Sequence, residues 1–155
     1  MRASRHFHRP WASAPTDEAR FSAYLEDNSR PDFEAFLVCR LEDHAILGFF
    51  NISQIARGSL QSAYLGYAAA ERYAGQRYMR EGIELVLQVA FMELKLHRLE
   101  ANIQPGNHAS IALAQGAGFK REGFSPRYLK ISGRWRDHER WALLAEEWER
   151  RHGKG

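Results

Sequence analysis

Cysteine is almost missing from this chain: Cys39 stands alone among 155 residues. No disulfide can therefore close within it, which suits a reducing compartment. Proline is sparse, and no Pro/Gly/Ser-rich linker, internal repeat or low-complexity stretch divides the sequence. Long apolar runs are also lacking. The longest uncharged stretch, Ala101 to Phe119, is broken by Gln104, Pro105, Gly106, Asn107 and His108 and cannot span a bilayer. Met1 to Arg9 leads into no apolar segment of the kind a secretory signal requires. Metal ligands are scattered: His6-x-His8 is the one close pair, with no third ligand beside it, so no metal is expected. Neither sign of charge dominates, and the net charge of +3 accommodates an anionic ligand without demanding nucleic acid. These absences point to a cytoplasmic protein without a membrane anchor.

What is present is ordinary globular composition, 45% hydrophobic and 26% charged, in a chain long enough for one core and read as a single domain over residues 1–155. Phe21, Tyr24 and Leu25 recur at helical spacing in Pro15 to Asn28, with Asp17 and Glu18 in the first turn where negative charge suits the helix dipole. Three β-rich stretches follow at Phe33–Arg40, Ala45–Gln54 and Leu60–Ala70. Their connections, Leu41 to His44 and Arg57-Gly58-Ser59, are short enough to make them an antiparallel meander. Tyr78 to Lys95 is the clearest helix, with Met79, Ile83, Val86, Leu87, Ala90 and Leu94 as an apolar stripe. A short strand is expected at Leu99–Ile103. A helix capped by Asn107 then ends near Gly116-Ala117-Gly118. Two strands, Phe119–Phe124 and Arg134–Leu144, finish the chain, with a turn at Ser132-Gly133 before the second. A strand–helix–strand step inside a mostly antiparallel set predicts a mixed α/β sheet (α+β in class) covered by helices.

Two segments carry chemistry. Arg72-Tyr73-Ala74-Gly75-Gln76-Arg77 joins the third strand to the long helix. A tight turn there leaves backbone N–H groups at a helix N-terminus, a site suited to pyrophosphate, and Gly75 permits close approach. The plainer reading is a strand-to-helix loop with a turn glycine. In Leu96 to Phe119 the residues of interest are Glu100, Asn107 and Ser110. Singly they read as a solvated strand acid, a helix cap and a surface hydroxyl. All three nevertheless fall at or beyond one end of adjacent elements and can converge on one cleft.

Together these residues resemble the GNAT superfamily of N-acetyltransferases. The family's loop, Gln/Arg-x-x-Gly-x-Gly/Ala, is matched by Arg72, Gly75 and the helix opening at Tyr78-Met79. His97 to Gly123, HRLEANIQPGNHASIALAQGAGFKREG, resembles the family's Arg-Ile-Glu-Ala strand, Asn-x-x-Ser and Gly-Phe ending. Tyr128 to Leu144 is similar to the C-terminal hairpin of ribosomal-protein-alanine N-acetyltransferases, and His8-Arg9-Pro10-Trp11 to their Pro-Trp segment. Arg77 departs from the pattern, standing where the family usually has a second Gly or Ala. Its guanidinium can swing out and pair with a phosphate.

The resemblance implies the GNAT fold and acetyl-CoA as co-substrate. Backbone groups of Leu65, Gly66 and Tyr67 would pair with the pantetheine arm. Arg72, Tyr73, Ala74, Gly75, Gln76, Arg77 and Tyr78, with Asn107, would hold the rest of the cofactor. A backbone N–H beside Tyr67 would stabilise the oxyanion, a contribution of about 3 kcal/mol. Glu100 would serve as general base, and Ser110 or, second, Tyr128 would assist the departing thiolate. An α-amine with a pKa near 8 is about one-tenth neutral at pH 7, so modest help suffices. The implied acceptor is the N-terminus of a ribosomal protein; a polyamine, aminoglycoside or amino acid fits the same fold. Lys120, Arg121, Arg127, Lys130, Arg134, Arg136 and Arg140 interleave with Phe124, Tyr128, Trp135 and Trp141. That pattern reads first as a half-buried hairpin with aromatics inward and charges outward; a ribosome- or RNA-binding module is the remote alternative. Relatives open with a strand before the Pro-Trp segment that Met1 to Arg9 is too polar to supply. An exposed edge at Phe33–Arg40 is therefore expected, with either an edge-to-edge contact with a second copy or a start site assigned too late.

Overall fold

The computed structural model describes residues 18–75 and 77–153. The Pro10-Trp11 segment, the His6-x-His8 pair, Gln76 and the stretch expected to lack a first strand lie outside the described residues. Helix α1 (Glu18–Asn28) leads into strands β1 (Glu34–Cys39), β2 (Ile46–Ala56) and β3 (Ser62–Ala69). A 3-10 turn, Glu71–Tyr73, connects to α2 (Tyr78–Gln88), which continues as a π-helical turn over Val89–Glu93. Then come β4 (Arg98–Ile103), α3 (His108–Gly116), β5 (Lys120–Ile131), β6 (Arg134–Leu144) and α4 (Ala145–His152). The six strands form one sheet in the order β1-β2-β3-β4-β6-β5. β1, β2 and β3 are the expected antiparallel meander, β3 and β4 run parallel, and the rest is antiparallel. β1 is an edge of this sheet among the described residues.

Strand pleating sorts the side chains onto two faces. Ala63 and Leu65 of β3, Leu99, Ala101 and Ile103 of β4, and Trp141 and Leu143 of β6 point into the core. There they meet Ile83, Val86, Leu87, Ala90 and Phe91 of α2 and its π turn, Ala114 of α3 and Trp148 of α4. Burial of each large apolar side chain contributes about 1.5–3 kcal/mol. α2 lies close on the sheet because position 82 is glycine: a Cβ there would sit 2.9 Å from Val38 Cγ2 and 3.0 Å from Phe50 Cε2. No described helix is long and apolar enough to cross a membrane.

Three elements differ from the sequence expectation. The long helix does not run as α-helix to Lys95. It widens instead so that Leu94 N–H donates to Val89 O at 2.9 Å, and the π turn sets Phe91 against Trp148, with ring centroids 5.7 Å apart. β5 continues past Phe124 to Ile131 through two register shifts, the second spanning Ser125 to Leu129. Arg127 accommodates that bulge at φ 47°, and its N–H donates to Asp137 Oδ1 at 2.8 Å. Finally, the chain closes on α4 rather than on a strand. The Ser132-Gly133 turn is as expected, and positive φ at both residues (50° and 81°) matches the twist of a tight hairpin.

Candidate functional site

β3 and β4 pair only at Ser62–Arg98, Ala63–Leu99 and Tyr64–Glu100. Beyond Tyr64 the strands separate. Gly66 to Ala69 keep their pairing with β2 on one side and have no strand partner on the other among the described residues. The gap is the floor of a 640 Å³ cleft, lined by Leu65 to Ala69, Ala74, Gly75, Arg77 to Arg80, Ala101 to Gln104, Asn107, Ser110, Leu113 and His138 among others. Leu65, Tyr67, Ala101 and Ile103 belong to the helix side of the sheet. Gly66, Ala68, Asn102 and His138 alternate with such residues along their strands and face the other way. The cleft thus reaches both faces of the sheet through the splay.

The helix-side wall is electropositive. Arg77 caps α2 in the left-handed region (φ 64°, ψ −4°) and Gly75 also has positive φ, 79°. For a residue with a Cβ this conformation costs about 1–2 kcal/mol. This is the physical reason that Gly suits position 77 and that Arg there is a departure. The N-terminus of α2 opens on the cleft, and the positive end of its dipole favours anions there. Arg80 extends from the first turn toward α3, where a Cβ on Gly116 would lie 3.5 Å from its Nη2. Arg72 is exposed on the 3-10 turn outside the lining, and the backbone of Tyr73 lies on that turn beside it.

The opposite wall is the first turn of α3. Asn107 is its N-cap, as the sequence predicts, with Oδ1 accepting from Ser110 N–H at 3.3 Å. Tyr67 OH donates to Ser110 O at 2.8 Å, tying β3 to α3 across the cleft. Burial pushes the Tyr67 phenol up to about 12, against the opposing effect of that hydrogen bond, so it stays neutral at physiological pH.

On the far face, Glu100 is not part of the lining. Two-residue spacing puts Arg98 beside it on β4, and Arg98 Nε donates to Glu100 Oε1 at 2.8 Å while its other nitrogens hold Glu122. The Glu122 hydrogen bonds raise Arg98 further above its usual range, keeping the guanidinium charged. Arg98 in turn holds the Glu122 carboxyl below the ordinary carboxylate range. Tyr64 faces the same cluster; burial raises its pKa, and the neighbouring Tyr128 raises it further. Tyr128 also lies outside the lining, with its ring edge toward His138 at a centroid distance of 6.3 Å.

Sequence reasoning passed over two lining residues on this face. Asn102 Oδ1 is buried with no hydrogen-bond partner among the described residues. His138 is only 2% exposed, and its Nδ1 lies 2.9 Å from Arg136 O. No local sequence signal marks either residue: it is the tertiary pairing of Asn102 with Arg140 that places His138 beside the end of β4. No group of three or more His, Cys, Asp and Glu among the described residues could hold a metal ion.

The splayed strands and the cationic helix N-terminus suit an elongated ligand with phosphates at one end and amide groups along its length. The comparisons with known proteins agree with that geometry. A family model described as an acetyltransferase (GNAT) domain matches residues 1–120. The chain is similar to the probable N-acetyltransferase YjcK of Bacillus subtilis, 37% identical over 125 residues, covering 81% of this chain and 69% of the relative. It is similar to the [ribosomal protein uS5]-alanine N-acetyltransferase of Escherichia coli, 30% identical over 153 residues, covering 94% and 79%. Among solved structures, Mycobacterium smegmatis RimJ in complex with CoA-disulfide superposes with a TM-score of 0.81 at 29% identity, covering 94% of this chain and 74% of that one. This chain belongs to the GNAT family of N-acetyltransferases.

Proposed function

We propose that this protein moves the acetyl group of acetyl-CoA onto the N-terminal α-amine of a ribosomal protein. The observation that carries the reading is the cleft passing through the sheet between β3 and β4, with a cationic helix N-terminus on one side and an opening on the other. The donor supplies a thioester whose carbonyl carbon accepts the amine. Backbone groups of Leu65, Gly66 and Tyr67 would align the pantetheine arm as an added strand. The turn at Gly75 to Tyr78, with Arg77 and Arg80, would hold the phosphates. Ser110, in the wall across from β3, would hydrogen-bond the departing sulfur.

The relative at 30% identity that acts on a ribosomal-protein alanine supports this acceptor. The lining supports it too, since no Asp or Glu lines the cleft among the described residues. A polyamine brings several ammonium groups that need carboxylate partners, whereas one α-amine brings a single nitrogen to the reaction. Mass spectrometry of peptide N-termini incubated with protein and acetyl-CoA is the test. Acetylation of ribosomal-protein N-termini in preference to spermidine or an aminoglycoside is expected. The reverse preference would replace the acceptor and leave the donor site untouched.

Glu100 bears a separate expectation. A partly exposed ion pair is worth under about 1 kcal/mol, and Arg98 keeps Glu122 when Glu100 is lost. Because Glu100 lies outside the cleft lining, Glu100→Gln should change kcat by roughly fivefold at most, about 1 kcal/mol in the barrier. A much larger loss concentrated at mildly acidic pH would make Glu100 the general base.

A further inference from the structure

Resting on the amine-acetylation reading above, we infer that His138 is the catalytic residue that removes the proton from the attacking amine, with Asn102 holding the same nitrogen in place. β4 makes its last pair at Ile103–Glu139, so His138 is the first residue of β6 past the end of β4, where the sheet has opened. Its side chain lies on the face away from α2 and α3. The donor fills the helix side, so the amine has to approach from this one.

The hydrogen bonding of His138 fixes which nitrogen does the work. A backbone carbonyl can only accept, so the contact at 2.9 Å to Arg136 O places the proton on Nδ1. In the neutral ring this leaves a lone pair on Nε2, which has no hydrogen-bond partner among the described residues although the residue is buried. Arg136 and Arg140 flank His138 at two-residue spacing on the same strand. Tyr128 faces it from β5 and Asn102 from β4. No carboxylate lines the cleft to compete for the amine among the described residues. Asn102 Oδ1, buried and without a hydrogen-bond partner among the described residues, is another acceptor on the same face. A neutral primary amine has two N–H bonds and one lone pair. Two neighbouring acceptors engage the two N–H bonds and leave the lone pair for the carbonyl carbon.

The proton account closes within the site. The amine nitrogen bonds to the acetyl carbon, the carbon–sulfur bond breaks with its electron pair going to sulfur, and the nitrogen loses one proton to His138 Nε2. The imidazolium returns that proton to the thiolate. The products are the N-acetyl amide and the free thiol, and the ring is neutral again. A positioned base of this kind is typically worth about a hundredfold or more in rate.

The experiment has two arms. In turnover assays with an acceptor peptide, His138→Ala and the bulkier His138→Gln should each lower kcat by roughly a hundredfold or more while acetyl-CoA binding stays near wild type. Added imidazole should restore part of the His138→Ala rate. Wild-type kcat in either folded variant overturns the assignment. In the second arm, nitrogen-15 NMR of the wild-type ring should show Nδ1 protonated and Nε2 bare; the opposite tautomer overturns the assignment whether or not an acceptor is in hand. Wild-type protein that acetylates none of the amines offered would be a failure of the functional reading instead, and the tautomer would still decide the case for His138.

Discussion

Leucine in place of Gly66 is expected to cut acetyl transfer about a hundredfold or more while the protein stays folded. Gly66 lies on the unpaired side of β3, and a Cβ built there meets nothing within 4 Å. Its φ is not in the left-handed region, so a side chain is accepted without backbone strain. The fold has no objection to a leucine side chain at this position. The substrate would have one, because on the proposed reading the added carbons occupy the opening where thioester and amine meet. A displacement of about 1 Å at such a point is enough for a hundredfold loss. Thermal unfolding within a few degrees of wild type, alongside lost turnover, is the expected pair of results. Full activity in the folded variant would mean that the reaction takes place elsewhere.

Gly75→Val should weaken acetyl-CoA binding strongly. At φ 79° a β-branched residue costs about 1–2 kcal/mol and pushes the loop toward another conformation. The turn would then present its N–H groups differently to the phosphates of the proposed ligand. A loss near 2 kcal/mol corresponds to roughly thirtyfold in Kd. Gly58, at φ 64° in the β2–β3 turn and with open space around it, is the matched control. Gly58→Val strains the backbone similarly but stands away from the cleft. Both variants should lose comparable stability, and only Gly75→Val should lose affinity. Equal affinities would show that the turn before α2 does not hold the phosphates.

Much of this architecture was legible in the residues, and the gaps have physical causes. α2 could be read because Ile83, Val86, Leu87 and Ala90 repeat at helical spacing and all four are buried. The cap at Asn107 followed from side-chain chemistry alone. α4 was missed because AEEWERRH offers a single buried residue, Trp148, and its charges mimic a polar tail. The second half of β5 was missed because Pro126 and a bulge at Arg127 disrupt the alternation on which a strand is recognised. The parting of the strands was not legible locally: no local pattern says that β3 and β4 pair for three residues and then separate. On the far face the neighbours of Glu100 decide how it reads. Glu100 drew attention as an acid in a strand, yet Arg98 two residues earlier shares its face and pairs with it, a contact that strand periodicity alone foretells. His138, inside RWRDHERW, looks like one more polar residue of a solvated hairpin. Only the tertiary pairing of β6 beyond the end of β4 buries it at the opening.

The splayed cleft is expected to hold acetyl-CoA. Titration calorimetry of the folded protein with acetyl-CoA tests it most directly, with Gly75→Val and Gly58→Val run beside the wild type. One molecule bound per chain with micromolar or tighter affinity, weakened at Gly75 and unchanged at Gly58, is the expected result. No heat of binding at millimolar acetyl-CoA would contradict it.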